Sequence, residues 1–255
     1  TKMLVDLKTI LLDADEKGYA VPAFNVYNME TVMGVISAAE EAKAPVIIQV
    51  YPRLVNEEVG YYVSPAAIAA AHKASVPVCL HLDHATDMGL ITRAIDAGFS
   101  SVMYDGSVLD FENNAKNTAE VTAYAHARGI TVEAELGHVG NGSVGSISET
   151  GTDTDPGESL TVPEEVAKFV EITDVDALAV AIGTAHGVYQ KTPTLRIDRL
   201  DEITAVCERP LVLHGGSGTP DDQMQNAIHH GITKINIYSD VVGAMNKGLK
   251  DKLNA

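Results

Sequence analysis

Pro210-Leu211-Val212-Leu213-His214-Gly215-Gly216-Ser217-Gly218-Thr219-Pro220-Asp221-Asp222 reads as a strand, a tight turn and the start of a helix. Residues 210–213 are apolar without polar alternation, the mark of a strand buried on both faces. Glycines then turn the chain, and Thr219-Pro220 opens a helix whose positive end carries Asp221 and Asp222. The same order recurs in both directions. Strands are expected at 19–24, 45–49, 76–82, 101–104, 131–135, 177–182, 210–213 and 234–237. Helices are expected at 29–41, 64–74, 88–97, 111–128, 163–172, 197–207, 221–231 and 239–253. Eight such units predict an α/β fold: a (β/α)8 TIM barrel forming a single catalytic domain over 1–255, with an open doubly wound sheet as the alternative.

Composition narrows the function classes. The chain of 255 residues is 45% hydrophobic with a net charge of −17, and its 18 basic residues are scattered rather than clustered. That argues against a nucleic-acid surface. It has no apolar run of about 18 residues, so no membrane-spanning helix is expected. Cys79 lies in an apolar run and Cys207 in a predicted helix, which suggests two buried thiols in a reducing cytoplasm. The first residues lack the order of a signal peptide. Residues 137–160 break the rhythm: 137–159 hold six glycines among Ser, Thr and Asp. A mobile loop over the C-terminal face of the barrel is expected there, with an inert insertion as the alternative.

Position within an element sorts the nine histidines. His81 and His84 flank Asp83 at one strand end, His186 follows the strand at 177–182, and His214 ends the strand at 210–213. His84, His186 and His214 therefore face one end of the barrel, as catalytic zinc requires of three ligands around an open position. His72, His126, His229 and His230 fall on helices and His138 in the loop, where surface or packing roles are the default. Neighbours at a strand end point apart, so Asp83 is expected to face substrate as a proton acceptor; orienting His84 is the alternative. The turns at 215–218 and 236–240, with Ser217 and Ser239, follow the last two strands, where many barrels bind phosphate.

The runs Leu80-His81-Leu82-Asp83-His84, Val132-Glu133-Ala134-Glu135-Leu136-Gly137, 179–187 and 213–217 resemble the class II, zinc-dependent fructose-bisphosphate and tagatose-bisphosphate aldolases, and the likeness extends over about 18–244. The resemblance implies zinc on His84, His186 and His214, and Asp83 removing the C4 hydroxyl proton as the C3–C4 bond breaks to give dihydroxyacetone phosphate. It implies phosphate contacts from Gly187, Gly215, Gly216, Ser217, Asn236 and Ser239. A second metal position at Asp105 and Glu135 is also implied, as is a monovalent cation, Na+ or K+, beside the phosphate. Asn25, Gln49 and Arg53 are further candidate substrate contacts. A homodimer or homotetramer, acting on a small sugar phosphate, is expected.

Three departures from that family pattern stand out. Gly142 and Ser143 occupy the loop positions where relatives carry glutamate, leaving Glu149, Glu158 or His138 as candidate proton donors. The run Gln49-Val50-Tyr51-Pro52-Arg53 replaces the Ser and Gly that receive the far phosphate. Arg53 suits a different anion there, a carboxylate or sulfonate, unless it is only a solvated surface charge. The C-terminus stops soon after the eighth helix. A non-cleaving isomerase or epimerase and a sugar-phosphate binding protein are the competing functions.

Overall fold

In the computed structural model, which describes residues 3–56, 58, 60–140, 160–189 and 192–254, nine strands form one parallel sheet. They are β1 (Leu4–Val5), β2 (Val21–Asn25), β3 (Val46–Val50), β4 (Val78–Ala85), β5 (Ser101–Tyr104), β6 (Thr131–Leu136), β7 (Ala177–Val180), β8 (Leu211–Leu213) and β9 (Ile232–Ile237). β2 pairs with both β3 and β9, and β4 pairs with β5, so β2 to β9 close into the expected eight-stranded barrel. The helices α2 (Met29–Ala42), α4 (Gly60–Lys73), α5 (Met88–Ala97), α6 (Phe111–His126), α7 (Pro163–Thr173), α8 (Ile197–Thr204), α9 (Asp221–His229) and α10 (Ser239–Leu253) match the predicted series. A short α3 (Pro52–Asn56) that the sequence reading did not predict carries Arg53, the candidate contact for the far anion. Among the described residues no helix is long and apolar enough to cross a membrane. Cys79 is buried and Cys207 partly so, and both are free thiols.

Two elements at the N-terminus escaped the sequence reading. β1 pairs with the first residues of β4, Leu4 opposite Val78 and Val5 opposite Cys79. α1 (Leu7–Lys17) starts at Asp6, whose Oδ1 accepts from Thr9 N at 2.7 Å, and ends at Gly18 in the left-handed conformation. Its Leu7, Ile10, Leu11 and Ala14 share one face and pack with Val21, Ala23, Ile47, Cys79, Ala177, Ala179 and Val212. Those strand residues face inward, so α1 is the plug of the barrel's N-terminal end. The outward-facing alternates, such as Val46, Ile48 and Val50 of β3, pack under the surrounding helices.

Residues 141–159, most of the segment predicted to be an active-site loop, lie outside the described residues, and with them Gly142, Ser143, Glu149 and Glu158. The described start of that segment is seated on the barrel. Val139 is buried and its N–H donates to Glu135 Oε1 at 2.9 Å, while Gly140 O accepts from His186 N at 2.8 Å.

Candidate active site

Above the apolar plug the inward-facing positions turn polar. Gln49, His81, Glu133 and Lys234 are fully buried, and one level higher stand Asn25, Asp83, His84, Glu135, His214 and Asn236. Period-two alternation puts Glu133 and Glu135 on the same face of β6, and Lys234 and Asn236 on the same face of β9. β4 departs from that period. Its pairing with β5 shifts register between Leu82 and Ala85, and His84 has φ 46°, left-handed for a residue with a Cβ. Such a bulge re-aims a side chain at the cost of backbone strain. The expectation that Asp83 and His84 point apart is therefore corrected: His84 Nε2 lies 3.9 Å from Asp83 Oδ1.

Three histidines meet at this level. Ring centroids are 5.0 Å apart for His84 and His186, 4.6 Å for His84 and His214, and 5.9 Å for His186 and His214. One nitrogen from each lies within 4.8 Å of the others. Carboxylates hold the remote nitrogens of two rings: Asp105 Oδ2 is 2.8 Å from His84 Nδ1, and Glu133 Oε1 is 2.9 Å from His214 Nε2. The nitrogens left over include His186 Nε2 and His214 Nδ1, both buried with no hydrogen-bond partner. Glu135 Oε2 sits 2.8 Å from His214 Nδ1, yet off the hydrogen-bond direction. Lone pairs so arranged suit a shared cation. His84, Asp105 and Glu135 form a second group of convergent donor atoms. His81 is not part of either group; its Nδ1 is 2.8 Å from Ser101 Oγ.

Charge supports the same view. Asp83, Asp105, Glu133 and Glu135 surround the three rings, against one buried ammonium, Lys234, whose Nζ is 2.8 Å from Glu133 Oε2. Burial alone would raise the Asp83 carboxyl, but His84, Lys234, His214 and the Asn25 amide hold it below the usual carboxylate range. Burial would likewise lower His84, and the charges of Asp83 and Asp105 push it up to about 10 instead. His186 goes the other way, down to about 3, through burial and the neighbouring His84 and His214. The surplus of negative charge must be met by protons on imidazole or by a metal cation.

Both Asp83 oxygens are held by amides. Asn25 Nδ2 donates to Oδ2 at 2.8 Å and Asn236 Nδ2 to Oδ1 at 3.2 Å. Gln49 Nε2 in turn donates to Asn25 Oδ1 at 3.0 Å. Asn25, Gln49 and Asn236 thus stand around and behind Asp83, and the anion cleft expected from the sequence lies at the neighbouring turns.

That cleft, of about 580 Å³, opens beside the rings and is lined by Gly187, Tyr189, Ser217, Gly218, Ser239 and Asp240 among others. Gly215, with φ 64°, and Gly216 are buried at its back; a Cβ on Gly215 would lie 2.4 Å from Ala185 O. Only glycine allows the loops after β7 and β8 to close so tightly. The Tyr189 hydroxyl bridges them, accepting from Ala185 N at 2.9 Å and donating to Gly215 O at 2.8 Å. Ser217 Oγ accepts from Tyr238 N and Asp240 N at the start of α10. Arg53 is exposed in α3.

Sequence reasoning missed Glu133, Lys234, Ser107 and Tyr189. Ser107 Oγ donates to Asp105 Oδ1 at 2.6 Å and meets His138 Nδ1 at 2.8 Å, so the first loop residues reach His84 through Asp105. The spacing of Glu133 from Glu135, and of Lys234 from Asn236, was the available signal.

Comparison with known proteins accords with this geometry. The model of the family described as fructose-bisphosphate aldolase class-II matches residues 5–255. The sulfofructosephosphate aldolase of Alkalicoccus urumqiensis is 42% identical over 247 residues, 96% of this chain and 84% of that protein. Among solved structures, the YdjI aldolase of Escherichia coli K12 is 39% identical with a TM-score of 0.86, covering 99% of this chain and 88% of that one. The fructose-bisphosphate aldolase of Campylobacter jejuni is 27% identical with a TM-score of 0.80, over 98% and 81%. A barrel carrying three convergent imidazoles, matched by that family along almost its whole length, belongs to the class II fructose-bisphosphate aldolases.

Proposed function

We propose that this aldolase is zinc-dependent and cleaves a phosphorylated ketose between C3 and C4, giving dihydroxyacetone phosphate and an aldehyde. The observation that carries the reading is the convergence of His84, His186 and His214, with buried nitrogens that lack hydrogen bonds, inside a shell of surplus carboxylate. Three neutral imidazoles leave zinc an open fourth position, and the carboxylates behind His84 and His214 orient the rings. When bound, zinc supplies Lewis acidity toward the ketose carbonyl and hydroxyl. Asp83 takes the C4 hydroxyl proton, and its two amide donors keep it ionised and aimed. Gly187, Ser217 and Ser239 bind the phosphate beside the N-terminus of α10, with Gly215 and Gly216 shaping the turn behind them. The Asp240 carboxylate on the cleft wall would offer ligand oxygen to a monovalent cation, which would offset the charge of a bound phosphate. Asp105 and Glu135 offer a second metal position with His84.

The far end of the substrate is read as an anion, with sulfonate first and a second phosphate next. The name of the Alkalicoccus relative supports this, as does the presence of an exposed Arg53 in α3. A homodimer or homotetramer in a reducing cytoplasm completes the proposal, and the two free thiols fit such a compartment. Family membership favours cleavage over the isomerase and binding-protein alternatives.

The test is cleavage of sulfofructose phosphate, fructose bisphosphate and tagatose bisphosphate by chelator-stripped protein before and after addition of zinc. Zinc-dependent release of dihydroxyacetone phosphate from any one supports the proposal, and the ranking of kcat/KM identifies the far anion. Cleavage that survives complete zinc removal contradicts it.

A further inference from the structure

Lys234 is fully buried inside the barrel, where an ammonium is costly unless its charge is paired. Its Nζ forms an ion pair with Glu133 Oε2 at 2.8 Å, off the hydrogen-bond direction, and donates to Asn236 Oδ1 at 2.8 Å. Each contact leads to a different part of the site. Through Glu133, whose other oxygen is 2.9 Å from His214 Nε2, it favours the tautomer with the proton on Nε2, which leaves the unpartnered Nδ1 its lone pair for a metal. Through Asn236, it fixes the amide with its oxygen toward Lys234 and its NH2 toward Asp83 Oδ1. An amide turned over would place an oxygen against the Asp83 carboxylate. Gln49 does the same for Asn25 on the other oxygen, but without a charge and without a branch to the histidines.

We infer that Lys234 is a positioning residue that orients the metal ligand His214 and the base Asp83 at once, coupling the two halves of the site through one buried ammonium. The inference rests on the zinc aldolase reading above. It separates Lys234 from an ordinary structural ion pair, because the two branches can be cut independently.

The experiment compares wild-type protein, Lys234→Met and the charge-balanced Lys234→Met/Glu133→Gln, measuring zinc affinity by chelator competition, kcat and KM for cleavage, and imidazole tautomers by nitrogen-15 NMR. In Lys234→Met, zinc affinity should fall about 10- to 100-fold. Its kcat, measured at saturating zinc, should fall by roughly 100-fold with little change in KM. The double variant removes the unpaired carboxylate and keeps an acceptor for His214 Nε2, so zinc affinity should recover while kcat stays low. Zinc affinity and kcat that recover together, or neither changing in Lys234→Met, would overturn the inference. If neither variant folds, the wild-type spectrum still decides: His214 protonated at Nε2 with zinc on Nδ1 agrees, and the reverse tautomer refutes it. Wild-type protein that binds zinc but cleaves no ketose phosphate would instead count against the function proposed above, and the affinity and tautomer measurements would still test Lys234.

Discussion

The two ends of the barrel interior are built by the same alternating strands and hold opposite contents. At the N-terminal end Val21, Ala23, Ile47, Cys79, Ala177, Ala179 and Val212 close on Leu7, Ile10, Leu11 and Ala14 of α1. At the other end β2, β3, β4, β6 and β9, with the turn after β8, present Asn25, Gln49, His81, Asp83, Glu133, Glu135, His214, Lys234 and Asn236, nearly all shielded from solvent. The apolar end gains stability from every methylene it removes from water. The polar end gains little, because each buried charge must recover its desolvation from partners a few ångströms away. One end is therefore built to fold and the other to react, and substitutions should separate the two.

The largest separation is expected at Asp83. Asp83→Ala should lower kcat by about 10²–10⁴-fold while zinc content, read by atomic emission, stays at the wild-type level. Loss of zinc together with activity would assign Asp83 to holding the metal ligands instead. At the opposite end, Leu11→Ala should cost roughly 2–5 kcal/mol in urea unfolding and leave kcat/KM of the folded enzyme nearly unchanged. A comparable loss of kcat would mean that the plug and the site are coupled. Asp105→Asn, which weakens the partner of His84 Nδ1, should reduce zinc affinity about 10- to 100-fold with much smaller effects on stability.

Acidity sharpens the contrast further. In the metal-free protein, burial acts to lower His84, while Asp83 and Asp105 push it up to about 10, so zinc must displace a proton at neutral pH. Proton and metal compete for the same nitrogen, and raising the pH removes the competitor. Zinc affinity should therefore increase by up to about tenfold per unit between pH 7 and pH 9, measured against a chelator of known pH dependence. A flat profile would show that His84 is already neutral. The smallest effect expected is at Asp6: Asp6→Ala removes the cap of α1 and should cost about 1 kcal/mol in thermal unfolding, with no change in zinc binding.

Much of this architecture is legible in the chain, for identifiable reasons. Most of the barrel strands are apolar runs, and His84, His186 and His214 stand at or beyond strand ends, so both fold and convergence follow from order. α1 was overlooked although Leu7, Ile10, Leu11 and Ala14 recur at helical spacing, because the repeating unit begins with a strand and nothing in that rhythm asks for a plug. The relation of Asp83 to His84 was misjudged because a bulge overrides the strand's alternation, and no residue type in Leu82-Asp83-His84-Ala85 announces a left-handed histidine. Lys234 and Glu133 stayed hidden for another reason. A charged residue in a short strand reads as solvent-facing until a partner is known across the barrel, and theirs is each other, 2.8 Å apart and a hundred residues distant in sequence.

In the proposed reaction His84, His186 and His214 hold a zinc that activates the ketose half of the substrate. Incorporation of deuterium from heavy water into dihydroxyacetone phosphate, followed by NMR with zinc-loaded and chelator-stripped protein, tests it without any knowledge of the aldehyde. The account predicts exchange with zinc and its loss on stripping, restored by adding the metal back; equal exchange with and without zinc, or none from protein with zinc and ligand both bound, would contradict it.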